Sequence, residues 1–428
     1  RLHTFSSYMI TRYNGIMTTG KKHIIIVGAG FGGITAMRHL AKKLPSDFSL
    51  ILIDRHHYQL YTPALYEIAS IPQEIIEDST LRSSILLPIK DAIIGTSVTH
   101  IVDEFIGLDS VLKTIQLRNK GALAYEYLIL ALGSETRYFD IPGLREYGLA
   151  LKTFDDAIRM RNTIEKLLKE KTELHIAVGG AGSAGVELVA EFVNFICIMQ
   201  EKLLPDAKKC SVFFTLIEAA PNILPGFDAW IVALARKRLS ELGVVIKTNM
   251  VIASVSETHI TFKNGETQKK NILIWTGGVK GPAIIRTLGL EISSKDSLVV
   301  DEYLRAKEPN GSIFAVGDNT TYINPHTQKP VIWNVPVAEQ EAKIVATNVL
   351  RAIAGKPLIP FMPWKKYPFV LAIGKKYAIA DLIIFRFWGL SGWIAKQLIE
   401  LRYVLSVLPF KKAIILWWRR VFGARAND

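Results

Sequence analysis

Two glycine-rich turns carry the residues whose types and spacing point most directly to chemistry. Each turn follows an apolar stretch and precedes a segment of helical spacing, at residues 28–33 and 180–185. Glycines at this spacing let the backbone approach a pyrophosphate, and the N-terminus of the following helix binds its negative charge. A single turn of this kind is a weak signal, because it also serves packing alone. The candidate pyrophosphate-binding residues are Gly28, Gly30 and Gly33 in the first turn and Gly180, Gly182 and Gly185 in the second.

An acidic residue follows each turn at the end of the next apolar stretch. Asp54 ends the stretch 48–53, and Glu218 ends the stretch 212–217. A carboxylate at this place accepts hydrogen bonds from the ribose hydroxyls of a dinucleotide. Because the same charge repels a 2′-phosphate, Glu218 favours NADH over NADPH. The alternative is an acid that merely ends a strand, but two turns that each have their own acid predict two dinucleotide sites.

The elements that position these residues follow from the apolar stretches. They lack polar alternation, which is typical of parallel strands buried on both faces. The predicted fold class is therefore α/β, with two Rossmann-like dinucleotide-binding domains, the second inserted in the first. The predicted divisions are a disordered extension at 1–16, a first domain at 17–144 and 299–362, a second domain at 145–298, and a C-terminal segment with helices at 363–428.

Composition limits the function further. The chain has 428 residues, a net charge of +13 and two cysteines, Cys197 and Cys210. The positive charge suits nucleic acid, an anionic membrane or an acidic substrate. No zinc-ligand spacing or aromatic-basic RNA motif is present, so we expect neither nucleic acid nor metal as a partner. The cysteines form no CxxC pair, which excludes a disulfide scaffold, and we expect both to be packing residues.

The C-terminal segment predicts contact with a membrane surface. Residues 385–422 combine tryptophan, leucine and isoleucine with many cations, and Lys396, Glu400 and Tyr403 share one helical face. An amphipathic helix of this composition lies in the membrane interface, although a helix pair packed on the protein body is the alternative. No apolar run is long enough to span a bilayer. The cations expected to attract anionic lipid are Arg386, Lys396, Arg402, Lys411, Lys412, Arg419 and Arg420.

Together these motifs make the chain similar to flavoproteins with two dinucleotide-binding domains, and among them to type II NADH:quinone oxidoreductases, also called alternative NADH dehydrogenases. The likeness extends from Lys22 to about Gly423 and includes the block 55–66 and the turns 131–133 and 317–318. It implies that FAD and NADH occupy the two sites. The residues it assigns to FAD are Asp54, Gly133 and Asp318, beside the first three glycines.

The resemblance also assigns three residues to the reaction. It implies that Glu187, just after the second turn, orders the nicotinamide against the flavin; stabilisation of the helix N-terminus is the alternative. The family's quinone motif has two glutamines four residues apart. Gln340 matches the second glutamine, whereas Pro336 stands at the first, which leaves the identity of the quinone open. Lys376 is the candidate substitute for a basic residue beside the flavin, and a solvated basic turn is the alternative.

The resemblance therefore implies FAD-dependent oxidation of NADH, with electron transfer to a membrane quinone and no proton pumping. Because no cysteine accompanies the first turn, electrons leave the flavin without a thiol relay. The expected location is monotopic, on the cytoplasmic face of the cell membrane. Two alternatives stay open: a reductase of the same fold with a soluble acceptor such as ferredoxin or oxygen, and a membrane-associated flavoprotein that senses NADH with little turnover. The oligomeric state also stays open, a homodimer included.

Overall fold

The two glycine-rich turns and their acids all lie within the described part of the chain. The computed structural model describes residues 20–203 and 211–426. The extension predicted at residues 1–16 lies outside these residues, as does Cys210.

Within the described structure, residues 20–140 contribute ten strands and four α-helices. The strands are β1 Lys22–Val27, β2 Phe48–Asp54, β3 Tyr58–Leu60, β4 Leu86–Pro88, β5 Thr99–Val102, β6 Phe105–Asp109, β7 Thr114–Leu117, β8 Gly121–Ala124, β9 Tyr127–Leu130 and β10 Glu135–Thr136. The helices are α1 Phe31–Ala41, α2 Leu65–Ile68, α3 Asp78–Ile85 and α4 Ile89–Ala92.

The middle of the chain contributes nine more strands and four helices to the described structure. The strands are β11 Gly148–Ala150, β12 Glu173–Gly179, β13 Ser211–Ile217, β14 Val245–Lys247, β15 Ile252–Val255, β16 His259–Phe262, β17 Thr267–Lys269, β18 Ile272–Trp275 and β19 Val279–Lys280. The helices are α5 Leu144–Tyr147, α6 Phe154–Glu170, α7 Ser183–Ile198 and α8 Ala229–Glu241.

The last part of the chain adds short strands and three long helices. The strands are β20 Leu298–Val299, β21 Ile313–Ala315, β22 Thr320–Thr321, β23 Phe369–Ala372, β24 Ala378–Asp381 and β25 Arg386–Gly389. The helices are α9 Val335–Ile353, α10 Leu390–Val407 and α11 Phe410–Ala426.

Two parallel five-stranded sheets confirm the predicted fold class. The first has the order β21-β9-β1-β2-β5, and the second has the order β11-β18-β12-β13-β14. Because β21 follows the whole second sheet in sequence yet pairs with β9, the chain returns to the first unit after completing the second. Each unit also carries a three-stranded antiparallel sheet, β6-β7-β8 or β15-β16-β17. The two units therefore repeat one topology.

The C-terminal segment begins with the antiparallel sheet β23-β24-β25 and continues into α10. Helix α10 lies close against this sheet, since a Cβ on Gly392 would stand 2.0 Å from the carbonyl oxygen of Ala378. Its polar residues Lys396, Gln397 and Glu400 are buried against the protein. Its exposed face is mainly apolar and also carries Ser391, Arg402 and Ser406. The exposed apolar residues of α10 are Leu390, Ile394, Leu398 and Leu405.

This arrangement corrects the prediction for two cations of the tail. Lys396 and Arg420 are buried and cannot face lipid, because Glu400 forms an ion pair with each of them. Lys411 and Arg419 are exposed, in agreement with the prediction. Lys412 is also exposed, but its ammonium group lies 2.6 Å from the carboxylate of Asp91.

The structure also tests two predictions at α7, the packing role of Cys197 and the lack of an apolar stretch long enough to span a membrane. The packing role predicted for Cys197 is wrong, because this residue is exposed on α7. One helical stretch within the described residues, Ser183–Glu201, is long and apolar enough to cross a membrane by length and composition. Its most apolar window is 67% buried inside the protein, as is typical of a core helix.

Candidate functional site

The first glycine-rich turn combines tight packing with one open position. Gly28 has a φ of 102°, and a Cβ there would lie 2.1 Å from the carbonyl oxygen of Ala131. A Cβ on Gly33 would lie 1.8 Å from the carbonyl oxygen of Gly28. At Gly30, in contrast, a Cβ would have no neighbouring atom within 4 Å. The turn therefore leaves its open side at the N-terminus of α1, where a pyrophosphate fits.

The second turn repeats this geometry at the N-terminus of α7. Gly180 has a φ of 101°, and a Cβ there would lie 2.5 Å from the Cα of Gly277. A Cβ on Gly185 would lie 2.0 Å from the carbonyl oxygen of Gly180, whereas one on Gly182 would meet nothing within 4 Å. In each turn the first and third glycines are required for packing, and the middle glycine borders open space.

Each predicted acid is tied to its own turn. Asp54 accepts a hydrogen bond at Oδ2 from the backbone N–H of Ala29 at 2.7 Å and another at Oδ1 from His56 at 2.8 Å. Glu218 accepts equivalent bonds from Ala181 and Ala220, both at 2.8 Å. A carboxylate has about four acceptor sites, so these two bonds leave capacity for ribose hydroxyls. Both sites thus fit an adenosine ribose beside the pyrophosphate position.

The structure brings Gly133 and Asp318 together through a residue that the sequence did not indicate. Asn319 is fully buried, and its Oδ1 accepts a hydrogen bond from the backbone N–H of Gly133 at 3.3 Å. Its Nδ2 donates to the carbonyl oxygen of Leu130 at 3.0 Å. Asn319 therefore fixes the end of β9 against the turn that contains Asp318.

Two more residues that sequence reasoning missed contact Asp318 in series. The hydroxyl of Ser134 donates to Asp318 Oδ2 at 2.9 Å, and the ammonium of Lys152 donates to Ser134 Oγ at 2.8 Å. Burial lowers the pKa of Lys152, whereas the carboxylates of Asp318 and Glu135 oppose that shift. This series connects the start of the second unit to the first.

Glu187 lies just past the first helical turn of α7, where the sequence had placed it within that turn, and connects the helix to the C-terminal sheet. Its Oε1 accepts a hydrogen bond from the backbone N–H of Ala372 in β23 at 3.2 Å. Burial raises the pKa of Glu187 to about 8. Because such a carboxyl is mainly protonated at pH 7, attraction to the helix dipole does not explain its position. A neutral carboxyl there is able to donate a hydrogen bond to a bound ligand.

Gln340, the residue that the resemblance places near a quinone, is half-buried and bonded to the segment that follows α9. Its Oε1 accepts from the hydroxyl of Tyr367 at 2.6 Å, and its Nε2 donates to the carbonyl oxygen of Met362 at 2.8 Å. Pro336 stands in the first turn of α9, whose capping residue is Asn334. A proline is suited to this position, because the first turn needs no backbone donor. The departure from the glutamine pair thus has a structural explanation.

Glu341 is a buried acid beside Gln340 that sequence reasoning missed. Its Oε2 accepts a hydrogen bond from the backbone N–H of Gly317 at 2.7 Å, directly before Asp318. Burial raises the pKa of Glu341 to about 8, with Asp318 adding to the shift. The available signal was an acid at the apolar helical spacing of Ala338 and Val345.

Lys376 is exposed in the turn between β23 and β24. The next residue, Tyr377, occupies the position where the resemblance expects a base, and the guanidinium of Arg238 lies 5.0 Å from its ring centre. Arg238 therefore supplies a cation at this place from α8, which the local sequence did not indicate. Within the described ranges, no cluster of three or more histidine, cysteine or acidic side chains could hold a metal ion.

Comparison with known proteins agrees with this geometry. The sequence profile of the pyridine nucleotide-disulphide oxidoreductases matches residues 22–342. A type II NADH:quinone oxidoreductase of Staphylococcus epidermidis is 27% identical over 412 residues, which cover 92% of this chain and 99% of the relative.

Two solved structures share the fold. NDH2 of Plasmodium falciparum, in complex with NADH, has a TM-score of 0.77 at 22% identity and covers 94% of this chain and 98% of its own. The sulfide:quinone oxidoreductase of Aquifex aeolicus has a TM-score of 0.73 at 19% identity, over 90% of this chain and 91% of its own.

Proposed function

This chain belongs to the pyridine nucleotide-disulphide oxidoreductase family, and we propose that it oxidises NADH through bound FAD and passes the electrons to a membrane quinone. The observation that carries this proposal is the pair of matching turn-and-acid sites, each with an open middle glycine at a helix N-terminus. FAD, when bound, accepts a hydride and releases electrons singly or in pairs. The similarity to a relative named type II NADH:quinone oxidoreductase supports the choice of acceptor.

The residues divide between the two nucleotides. We assign FAD to the first site, where Asp54 binds the adenosine ribose and the turn at Asp318 holds the opposite end of the cofactor. NADH occupies the second site, where Glu218 binds the ribose and disfavours a 2′-phosphate. Glu187 then positions the nicotinamide, because it stands between α7 and β23 with a carboxyl able to donate a hydrogen bond.

The acceptor side carries Gln340 and the segment that encloses it. Hydrogen bonds with Tyr367 and Met362 already fix the orientation of the Gln340 amide. The next residue in α9, Glu341, accepts a hydrogen bond from Gly317, so this part of the helix lies beside the Gly317–Asp318 turn. A thiol relay is not required by this arrangement. Cys197, the cysteine among the described residues, is exposed on the second unit.

Membrane attachment is the second part of the proposal. The exposed apolar residues of α10 are followed by others on α11, while Lys396, Gln397 and Glu400 of α10 are buried. A water-exposed face of this kind is suited to the acyl boundary of a bilayer. We propose monotopic attachment at the cytoplasmic face of the cell membrane, with no proton pumping. The exposed apolar residues that form this face are Ile384, Phe385, Trp388, Leu390, Ile394, Leu398, Leu405, Phe410, Ile415 and Trp418.

The decisive experiment measures electron acceptors with the purified, FAD-loaded protein. NADH should bleach the flavin absorbance without oxygen, and a short-chain quinone should restore it over many turnovers. Restoration by ferredoxin or oxygen alone would favour a soluble-acceptor reductase. A flavin that NADH reduces and that no acceptor reoxidises would favour the sensor. A preparation that never binds FAD would contradict the assignment of the first site.

A further inference from the structure

The carboxyl edge of the first sheet arranges the residues assigned to FAD in a fixed order. Strands β2, β1, β9 and β21 are successive neighbours in this sheet. Asp54 ends β2, the first glycine-rich turn follows β1, and Ser134 and Asp318 come after β9 and β21. Neighbouring strands lie about 4.8 Å apart. With the adenosine ribose at Asp54 and the pyrophosphate at the turn, we expect the ribityl chain and flavin of FAD to extend toward Ser134 and Asp318.

Ser134 connects Lys152 to Asp318 through hydrogen bonds whose direction is fixed. An ammonium group can only donate, and that of Lys152 lies 2.8 Å from Ser134 Oγ. The hydroxyl of Ser134 therefore accepts from Lys152 and donates its own hydrogen to Asp318 Oδ2 at 2.9 Å. Within the described part of the chain, Asp318 Oδ1 has no hydrogen-bonding partner. The series thus fixes one oxygen of the carboxylate and leaves the other able to accept from a ligand hydroxyl.

The backbone of Lys152 is itself held by the N-terminus of α6 in the second unit. Thr153 caps this helix, and its hydroxyl accepts a hydrogen bond from the backbone N–H of Asp156 at 3.0 Å. In return, Asp156 Oδ2 accepts from the backbone N–H groups of Thr153 at 3.0 Å and Lys152 at 3.2 Å. Such a capping box fixes the entry of the chain into a helix. Lys152 therefore reaches the FAD site of the first unit from a rigid position in the second.

Contact between the two units does not by itself require an ammonium group at this place. Strand β10 of the first unit already pairs with β19 of the second. Lys152 is partly buried, and an ammonium group that leaves water loses hydration, whereas an apolar side chain would join the units without that cost. The charge therefore indicates a role at the group to which it donates, Ser134, and at the Asp318 carboxylate beyond it.

We propose that Lys152 is a positioning residue for FAD: through Ser134 it holds the Asp318 carboxylate in place to accept hydrogen bonds from the ribityl hydroxyls. The unit that binds NADH thereby completes the FAD site of the other unit. This inference rests on the proposed function, because it requires FAD to bind at the first glycine-rich turn.

The test compares FAD with ADP, the half of FAD that has no ribityl chain. Dilution of the FAD-loaded protein gives the FAD dissociation constant from the fluorescence of released flavin, and displacement of FAD by ADP then gives the ADP dissociation constant. Lys152→Met should raise the FAD constant by about tenfold and leave the ADP constant unchanged. Asp54→Asn should raise both constants. Lys171→Met is the matched control, since it removes an exposed ammonium at the other end of α6 and should change neither.

A double variant tests whether Lys152 acts through Asp318. Residues that act independently multiply their effects on a dissociation constant, whereas residues in one hydrogen-bonded series do not. Lys152→Met combined with Asp318→Asn should therefore raise the FAD constant by clearly less than the product of the two separate factors. Ser134→Ala breaks the same series without altering the second unit, and it should show the same selective loss of FAD over ADP.

The outcomes separate this inference from the proposed function. If the unmodified protein never binds FAD, the proposed function fails. If it binds FAD and Lys152→Met keeps the original FAD constant, or weakens FAD and ADP equally, Lys152 does not position Asp318. Factors for Lys152→Met and Asp318→Asn that multiply would overturn the inference as well. Should Lys152→Met fail to fold, Lys152→Gln, whose shorter side chain keeps polar donors, takes its place with the same expected loss of FAD over ADP.

Discussion

At the scale of single residues, the two carboxylate oxygens of Glu218 hold its turn, and we propose that they also select the nucleotide. Both oxygens already accept backbone N–H groups, from Ala181 and Ala220. Glu218→Ala should therefore weaken NADH binding, since hydrogen bonds to a charged group contribute about 1.5–3 kcal/mol. It should also remove the repulsion of a 2′-phosphate. We expect the preference for NADH over NADPH in kcat/KM to narrow by about tenfold or more.

Glu218→Gln separates the two effects. The amide keeps one acceptor oxygen and loses the charge, so NADPH use should rise while NADH use falls less than in Glu218→Ala. Steady-state kinetics with both nucleotides and one water-soluble acceptor measure this. Equal use of the two nucleotides by the unmodified protein would contradict the role of Glu218.

Glu341 gives a prediction for the dependence of stability on pH. Burial raises the pKa of this carboxyl to about 8 in the folded protein, against an unperturbed value of about 4.5. Below about pH 4.5 both folded and unfolded forms are protonated. Between about pH 4.5 and 8 only the unfolded form loses its proton, so the free energy of unfolding falls as pH rises.

Glu341→Gln should remove this dependence, because the amide stays neutral and can still accept from Gly317. We expect the Tm of the FAD-loaded variant to decrease less than that of the unmodified protein between pH 5 and 8. Scanning calorimetry at both pH values measures the difference. Parallel decreases would mean that Glu341 is ionised in the folded state. The matched control is Glu302→Gln, which replaces an exposed carboxylate by the same amide.

Short motifs could be recognised from the sequence because their members are close in the chain. The glycines and acids of both sites follow fixed spacings, so their grouping was predictable. Lys152 and Ser134 were not, since their contact joins the two units across 18 positions of sequence. Glu341 was missed for another reason: a helical pattern marks it as an acid on an apolar face but does not show that Gly317 is its partner.

At the scale of elements, the middle glycine of each turn borders the proposed binding site, whereas the first and third glycines are needed for packing. Gly30→Val should leave the fold intact and abolish FAD binding, because the added side chain enters only the open space at the N-terminus of α1. Gly33→Ala should destabilise the fold, since its Cβ would overlap the carbonyl oxygen of Gly28. Gly182→Val is the matched variant in the second unit, and it should keep FAD and lose NADH.

Flavin absorbance and circular dichroism together measure this prediction. A yellow Gly30→Val protein would contradict the pyrophosphate position. A Gly33→Ala protein as stable as the original would contradict the packing role, for which overpacking alone costs about 1–3 kcal/mol.

The tail helices show what helical spacing in a sequence does not predict. Helical spacing correctly grouped Lys396, Glu400 and Tyr403 on one face of α10, but it did not show that this face is buried. Besides Glu400 on the same helix, Lys396 pairs with Glu67, which lies 329 positions away. A cation that is paired by such a distant acid looks, in sequence, like a cation that faces lipid.

At the scale of the whole molecule, two units of one topology bind the nucleotides, and we propose that the C-terminal segment attaches them to a membrane surface. Because Lys396 of α10 pairs with Glu67 of the protein body, deleting the tail would leave Glu67 without this partner, and the deletion would confuse folding with membrane binding. Substitutions on the outward face avoid this problem. Ile394, Leu398 and Leu405 are all exposed, and none belongs to the nucleotide sites.

Changing Ile394, Leu398 and Leu405 together to Gln should leave the flavin and the oxidation of NADH with a water-soluble acceptor unchanged. Burial of a large apolar side chain contributes about 1.5–3 kcal/mol when complete. Even partial insertion of three side chains therefore predicts binding to anionic liposomes that is weaker by about a hundredfold or more. Activity with a long-tailed quinone dissolved in the bilayer should fall in parallel.

Charge should act separately from apolar contact. Lys411→Gln with Arg419→Gln should weaken liposome binding by about 1 kcal/mol per charge, and added salt should diminish the difference. Lys412→Gln should change liposome binding little, because Asp91 already pairs with that ammonium.

If the triple variant of Ile394, Leu398 and Leu405 still binds liposomes as the original does, the outward face is not the attachment surface. If the triple variant instead changes the mass measured by sedimentation, the face joins two copies of the chain. That result would support a homodimer in place of membrane contact through α10.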